Sequence, residues 1–304
     1  MKAAIPESLK AELPQNSWGK VLGLTPVILT VIATLLAGIA SGEMTRAQYV
    51  RALAAQLQSK AGDQWGYFQA KKLRGALQEN SLEVLRATIE VPAPDPAGLA
   101  AAVNELSSPG GPQTLAALEQ GQLPALPAGP EIKPKVQAVL DALNASQPEE
   151  DVVRLLAQVT DEDLKTALDL AQARALAFDA AMKPVNTQLD QLEQALSRPM
   201  AAKGLLQGFT AARLRLGIAR YDQEARLNQV VAYLYELQVR KANAEAERHH
   251  ERSGRFFYGM LAAQMAVVIS TLAIAARQRN LLWSLAAAAG LVAVSFSAYV
   301  FLKV

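Results

Sequence analysis

The sequence predicts an all-α membrane protein with three transmembrane helices, a long antiparallel helical stalk and an additional helical, coiled-coil region. Three observations lead there. Val21–Gly42, Phe256–Ala276 and Leu281–Leu302 carry no charge and each has about 20 residues, enough to cross ~30 Å of hydrocarbon as a helix. Proline spares two long stretches beside those windows. A third stretch repeats apolar residues in alternating steps of four and three.

The charge-free windows set the membrane reading, because soluble core helices are rarely this long without a charge. Trp18 and Trp283 lie at one set of ends, and Phe256, Phe257, Tyr258 and Tyr299 at the other, as two aromatic belts require. The first window has a longer apolar core than a typical signal peptide, so it reads as an uncleaved anchor. Three spans put the termini on opposite sides. Lys2, Lys10, Lys20, Arg277 and Arg279 favour a cytoplasmic amino terminus, with the large domain outside the inner membrane. Arg46, Arg51, Arg248, Arg252 and Arg255 flank the spans on the domain side and pull the other way.

Proline divides the rest. Nine of fifteen prolines fall between Pro92 and Pro134, and none lies between Val27 and Val91 or after Pro199. The expected order is an N-terminal flank (1–20), a first span (21–42), an outgoing stalk helix (43–91) and a Pro-rich connector (92–134). A helical, coiled-coil region (135–198), a returning stalk helix (200–255) and the last two spans (256–276 and 281–302) follow. The connector has room for short helices at Gly98–Leu106 and Gln113–Glu119. In the middle region Leu164, Leu168, Ala171, Ala175, Phe178, Met182, Val185, Leu189, Leu192 and Leu196 form an a/d seam. It suits packing within the chain or between chains. Thr160 with Asp163 reads as its capping box, and Ser146 with Glu149 as the start of the preceding helix. Pro184 predicts a kink or break.

The stretch "DQWGYFQAKKLR", Asp63 to Arg74, concentrates aromatics in a chain that is 6% aromatic. Asp63 lies 21 residues beyond Gly42, about 30 Å along a helix, too far for a bilayer belt. An equal count back from Phe256 puts Asp63 to Phe68 level with Tyr235 back to Val230, so Trp65, Tyr67 and Phe68 face a layer with Tyr233, Leu234 and Tyr235. An aromatic lock between antiparallel helices is expected; a ligand box and a partner surface are the other readings. The same ruler pairs Arg74 with Glu224, Glu83 with Arg215, Arg51 with Glu247, and Glu43 with Arg255.

Together with "RHHERSGRFF" and a closing pair of spans, this stretch resembles an uncharacterised bacterial membrane-protein family, domain of unknown function 4337. The matching positions are Asp63, Trp65, Tyr67, Gln69, Ala70, Lys71, His249, His250, Glu251 and Arg252. Gly66 and Phe68 depart from its pattern, and the segment from about 92 to 204 is longer than usual. The resemblance implies the architecture and no mechanism.

Chemistry is sparse. The chain has no cysteine, two histidines and a net charge of +2, so thiolate chemistry and a nucleic-acid footprint are excluded. Glu247, His249 and His250 form the one metal-like set, since Glu at i and His at i+3 share a helix face; a second such motif is missing. No ionisable side chain lies within the spans, whereas ion pathways and proton relays usually require one. Small residues, Gly38 with Gly42, Gly259–Ala263–Val267–Thr271–Ala275 and Ala289–Ala293–Ser297, offer close helix contact within one bundle or between copies. The expected function is an inner-membrane scaffold or accessory protein, without catalysis or cofactor. Its expected partners are the lipid bilayer, further copies of itself and a membrane protein. The alternative is a channel or transport-related oligomer with a metal- or proton-sensitive juxtamembrane segment.

Overall fold

The structure is a computed structural model that describes residues 17–92, 95–105, 111–125, 129–197, 203–276 and 279–303. Those residues are 91% helical, without a strand. Eight helices follow in order: α1 (Ser17–Thr88), α2 (Pro96–Glu105), α3 (Gly111–Gln120), α4 (Pro134–Asn144), α5 (Glu149–Leu156), α6 (Asp161–Leu196), α7 (Lys203–Ala275) and α8 (Arg279–Lys303). Three of them, α1, α7 and α8, contain stretches long and apolar enough to cross a membrane. The expectations for Lys2, Lys10, Arg277 and the Trp18 side chain lie outside the described residues. The chain divides into two units, 1–54 with 241–304, and 55–240. Each is built on an antiparallel pairing of α1 with α7.

In the first unit α1, α7 and α8 meet through small side chains. Ala33, Leu36, Ala40, Phe256, Ala263, Ala293 and Val300 form its core. A Cβ on Gly259 would strike the Ser297 hydroxyl, and one on Gly290 would come within 2.6 Å of Leu29 Cδ2. These close approaches are what glycine permits where helices gain no hydrophobic drive from leaving lipid. Two expectations change here. Gly38 and Gly42 are exposed, and a Cβ added to either would meet nothing within 4 Å, so this G-x-x-x-G faces away from the bundle. The buried stripe on α7 runs Gly259, Ala263, Ala266, Ser270, Ala273 and leaves Val267, Thr271 and Ala275 off it. Strict steps of four drift about 40° each from a 3.6-residue period; alternating three and four stays on the face. On α8 the buried stripe is Ala286, Gly290, Ala293, Ser297 and Val300, so Ala289 is not on it. Phe257, Tyr258 and Tyr299 are exposed as a belt requires, but Phe256 is core.

In the second unit α6 supplies the seam. Leu164, Leu168, Phe178, Met182, Val185, Leu189, Leu192 and Leu196 are all buried. They pack within the chain into two clusters. One joins α4, α5 and the start of α6 to Val231, Leu234 and Leu237 of α7. The other joins α2, α3 and the rest of α6 to Phe209, Ala212 and Leu216. The capping box forms: Asp163 N donates to Thr160 Oγ1 at 3.1 Å and Thr160 N to Asp163 Oδ2 at 3.3 Å. A hydrogen bond from Lys133 at 2.5 Å, and a second from Thr160, lower the Asp163 carboxyl to about 2. α6 passes Pro184 without a break. Ser146 does not cap α5: it sits in a turn at φ 51°, and Pro148 holds the N-cap position. Three acidic residues, Glu149, Glu150 and Asp151, open that helix and suit its dipole.

The aromatic lock forms in part. The Trp65 ring meets Tyr233 edge-on at 5.2 Å and Phe68 at 5.4 Å. Tyr67 is 58% exposed, and Tyr235 turns into the first core cluster, its hydroxyl accepting from Gln172 Nε2 at 2.9 Å. Both departures have one cause. A residue two positions along a helix points about 200° away, so Tyr67 leaves the Trp65 face and Tyr235 the Tyr233 face. The three lock rings are half-buried. Trp65→Ala and Tyr233→Ala should therefore each destabilise the fold, and the double variant should lose less than the sum by roughly 0.5–1.5 kcal/mol. Chemical denaturation of the four proteins of the cycle checks this; strict additivity excludes the lock.

Candidate functional site

Within the second unit α1 and α6 do not close over α7. They leave a cavity of about 620 Å³, in the size range of ligand pockets. It lies where one core cluster gives way to the other, between Ala171 and Phe178 on α6 and between Val231 and Leu227 on α7. α1 contributes Gln64, Tyr67, Ala70, Lys71 and Arg74. A second hollow of about 290 Å³ is lined by Gln78, Met182, Asn186, Arg213, Gly217 and Tyr221. Gln64, Tyr67, Lys71, Arg74 and Gln78 repeat at three and four residues, so one stripe of α1 borders both hollows.

A buried carboxylate explains why the core is interrupted here. Glu224 is 3% exposed and pairs with Lys71 and, through Oε1 at 2.6 Å, with Arg220 Nε. Arg220 also donates to Asn186 Oδ1 at 2.8 Å and lies over the Tyr221 ring at 4.9 Å. Nearby, Lys72 bonds Asp222 at 2.6 Å and lowers its carboxyl. Burying a charge this far is tolerable only with such partners. Lys71 and Arg220 supply the counter-charge to the Glu224 carboxylate. Arg74 makes no ion pair among the described residues and stands at the cavity edge, where it can meet an anion.

The ruler pairs fare unevenly. Arg51 Nη2 reaches Glu247 Oε2 at 3.3 Å, as expected. Glu224 takes Lys71 in place of Arg74. Glu43 takes His249 Nδ1 at 2.6 Å and Arg252 at 3.6 Å, while Arg255 bonds Glu251 on its own helix. Glu83 and Arg215 form no ion pair among the described residues. Partners slip by one or two turns: a count of rise fixes the level of each Cα and leaves open which way round the helix its side chain points.

The same contacts draw the metal-like set apart. Glu247 turns to Arg51, and His249 to Glu43, so Glu247, His249 and His250 do not converge. No three His, Asp or Glu side chains gather as a metal site among the described residues. Glu43, which spacing pairs with Arg255, is 7% exposed and held by His249, Arg252 and, at 4.0 Å, Arg46. Ser253 seals the level, donating to the Ala40 carbonyl at 2.8 Å.

Glu224→Ala strands Lys71 and Arg220 without their counter-charge. We expect a loss of about 3 kcal/mol in urea unfolding of the detergent-solubilised protein. A loss below about 0.5 kcal/mol excludes a structural role for the pair.

Comparison with known proteins adds one family. No curated protein and no solved structure matches the chain. A family model described as Domain of unknown function (DUF4337) matches residues 18–108. The match takes in Asp63, Trp65, Tyr67, Gln69, Ala70 and Lys71; His249, His250, Glu251 and Arg252 lie outside it. Three of its positions, Tyr67, Ala70 and Lys71, line the cavity, whereas Trp65 serves the lock. The match thus covers the first apolar stretch, the rest of α1 and α2, which is less than half of the chain.

Proposed function

We propose that the protein is a scaffold or accessory protein of a bacterial inner membrane. It works through helix–helix contacts, assembles with copies of itself, and has no catalytic step of its own. The observation that carries this reading is the open trough beside α1. Its α1 wall repeats with the spacing of a helix-packing seam, Leu176, 69% exposed, lines it, and Leu77, 57% exposed, lies on the same helix as that wall. Ala70 joins the wall to an outer stripe of Gly66, Leu73, Leu77 and Val84, all exposed. Such spacing matches the ridges of an incoming helix. Lys71 and Glu224 inside the trough neutralise each other, so a docking helix need not supply their counter-charge. The occupant in this reading is a helix of another membrane protein.

The test combines Leu77→Asp with Leu176→Asp. Both side chains are exposed, so helicity and thermal midpoint should hold, with stability changing by about 0.5 kcal/mol or less. Native mass spectrometry of the complex extracted from source membranes should then lose the partner's mass. An unchanged complex removes the trough as the contact surface.

The large unit lies outside the cytoplasm in this proposal, on the weight of the short-segment cations. Ser146 is exposed and the chain is cysteine-free. Ser146→Cys should react with an impermeant thiol reagent in intact spheroplasts. Labelling only after lysis reverses the orientation.

A further inference from the structure

The second span carries two opposed stripes. Phe256, Gly259, Ala263, Ala266, Ser270 and Ala273 are buried in the bundle, while Phe257, Leu261, Gln264, Val268, Thr271 and Ala275 are all exposed. The exposed set steps by four, three, four, three and four, the spacing of a helix–helix seam. Gln264 sits near its middle. It is the one amide side chain in the three charge-free windows, and it makes no hydrogen bond among the described residues. Neighbouring hydroxyls differ: Thr271 donates to the Val268 carbonyl at 2.8 Å, and Thr30 and Thr34 likewise bond carbonyls of their own helix. An amide at this depth has no water to turn to, and leaving it unbonded in hydrocarbon is costly.

We infer that this outer stripe is where a second copy of the chain docks within the membrane, with Gln264 of each copy bonding Gln264 of the other. The inference rests on the self-assembly proposed above and names its surface. The occupant follows from the amide. A primary amide carries both donor and acceptor, so two of them related by a two-fold axis satisfy each other through reciprocal N–H to C=O bonds. A two-fold contact places a residue on its axis opposite its own copy, which no hydroxyl or aliphatic face requires. Leu261, Met265, Val268 and Ile269 surround Gln264 in a shallow depression of about 270 Å³, giving the second helix an apolar seat. A lone polar residue in such a seam fixes register and partner number.

The experiment uses the full chain in lipid nanodiscs and native membranes. Single cysteines at Leu261→Cys and Val268→Cys, with Gln264 kept, should form disulfide-linked dimers under mild copper–phenanthroline oxidation. Cysteines at the buried Ala263 and Ala266 should not. Gln264→Leu should weaken the dimer roughly 5- to 30-fold, the effect of one interhelical polar contact in lipid, and Gln264→Asn should restore most of it. Each of three results overturns the inference in its own way. A dimer untouched by Gln264→Leu, or one that crosslinks through Gly38 and Gly42, keeps self-assembly and removes this seam. Crosslinking of Leu261→Cys to a different protein removes the second copy as occupant. A wild-type chain that stays monomeric across the accessible range of protein-to-lipid ratios removes both the seam and self-assembly.

Discussion

The antiparallel contact between α1 and α7 governs each unit of this protein. A helix can turn only part of its circumference toward one neighbour, so the residues on that stripe decide how close the neighbour comes. In the first unit Ala33, Leu36 and Ala40 of α1 share a core with Phe256 and Ala263 of α7, and α8 comes so close to both that a Cβ on Gly259 or Gly290 collides with it or with α1. In the second the stripe carries Ala61, Leu82 and the half-buried rings of Trp65 and Phe68 on one side, and Val231, Leu234 and Leu237 on the other. Around that pair α6 and the four short helices add their own apolar faces. The energetic basis changes accordingly. Small-residue contact relies on dispersion, because lipid tails offer no hydrophobic gain; the second unit removes leucine, valine and phenylalanine from water.

Charge follows the same stripe. Two buried carboxylates, Glu43 and Glu224, sit on the α1–α7 contact, one in each unit, and each is held by more than one cationic or histidine side chain. Ion pairs of this kind add little net stability compared with an apolar replacement, but they punish the wrong register, since a slip strands a buried charge. Long helices with repetitive apolar stripes are prone to slip by a turn. Glu43 with His249 and Glu224 with Lys71 and Arg220 give each pairing a position it cannot leave cheaply. At Glu224 this function has a structural side effect. Polar groups cannot pack as leucines do, and the cavity opens where they interrupt the core.

The stretch Asp63–Arg74, inside the DUF4337 match, divides its labour by angle. Trp65 and Phe68 point at α7 and lock it, while Tyr67, Ala70 and Lys71 turn toward the trough. One short segment of helix thereby both fixes the pairing and shapes an exposed surface. This division by angle accounts for the interleaving of aromatic and basic residues there.

Periodicity and composition alone determined the all-helical class, the three apolar stretches, the α6 seam and its Thr160–Asp163 cap. Each depends on neighbours along one helix, where spacing maps directly onto direction. The pairing of Trp65 with Tyr233 and of Arg51 with Glu247 was also legible, because a constant rise per residue carries a level from one helix to the next. What spacing could not supply was the direction of each side chain across the gap between helices. That direction sent Tyr67 and Tyr235 out of the lock and Glu224 to Lys71 in place of Arg74. It also turned Gly38 and Gly42 outward and drew Glu247 from the histidines to Arg51. The cavity was equally hidden, since it arises where three helices fail to close around a buried ion pair, and that is decided only when all three are packed.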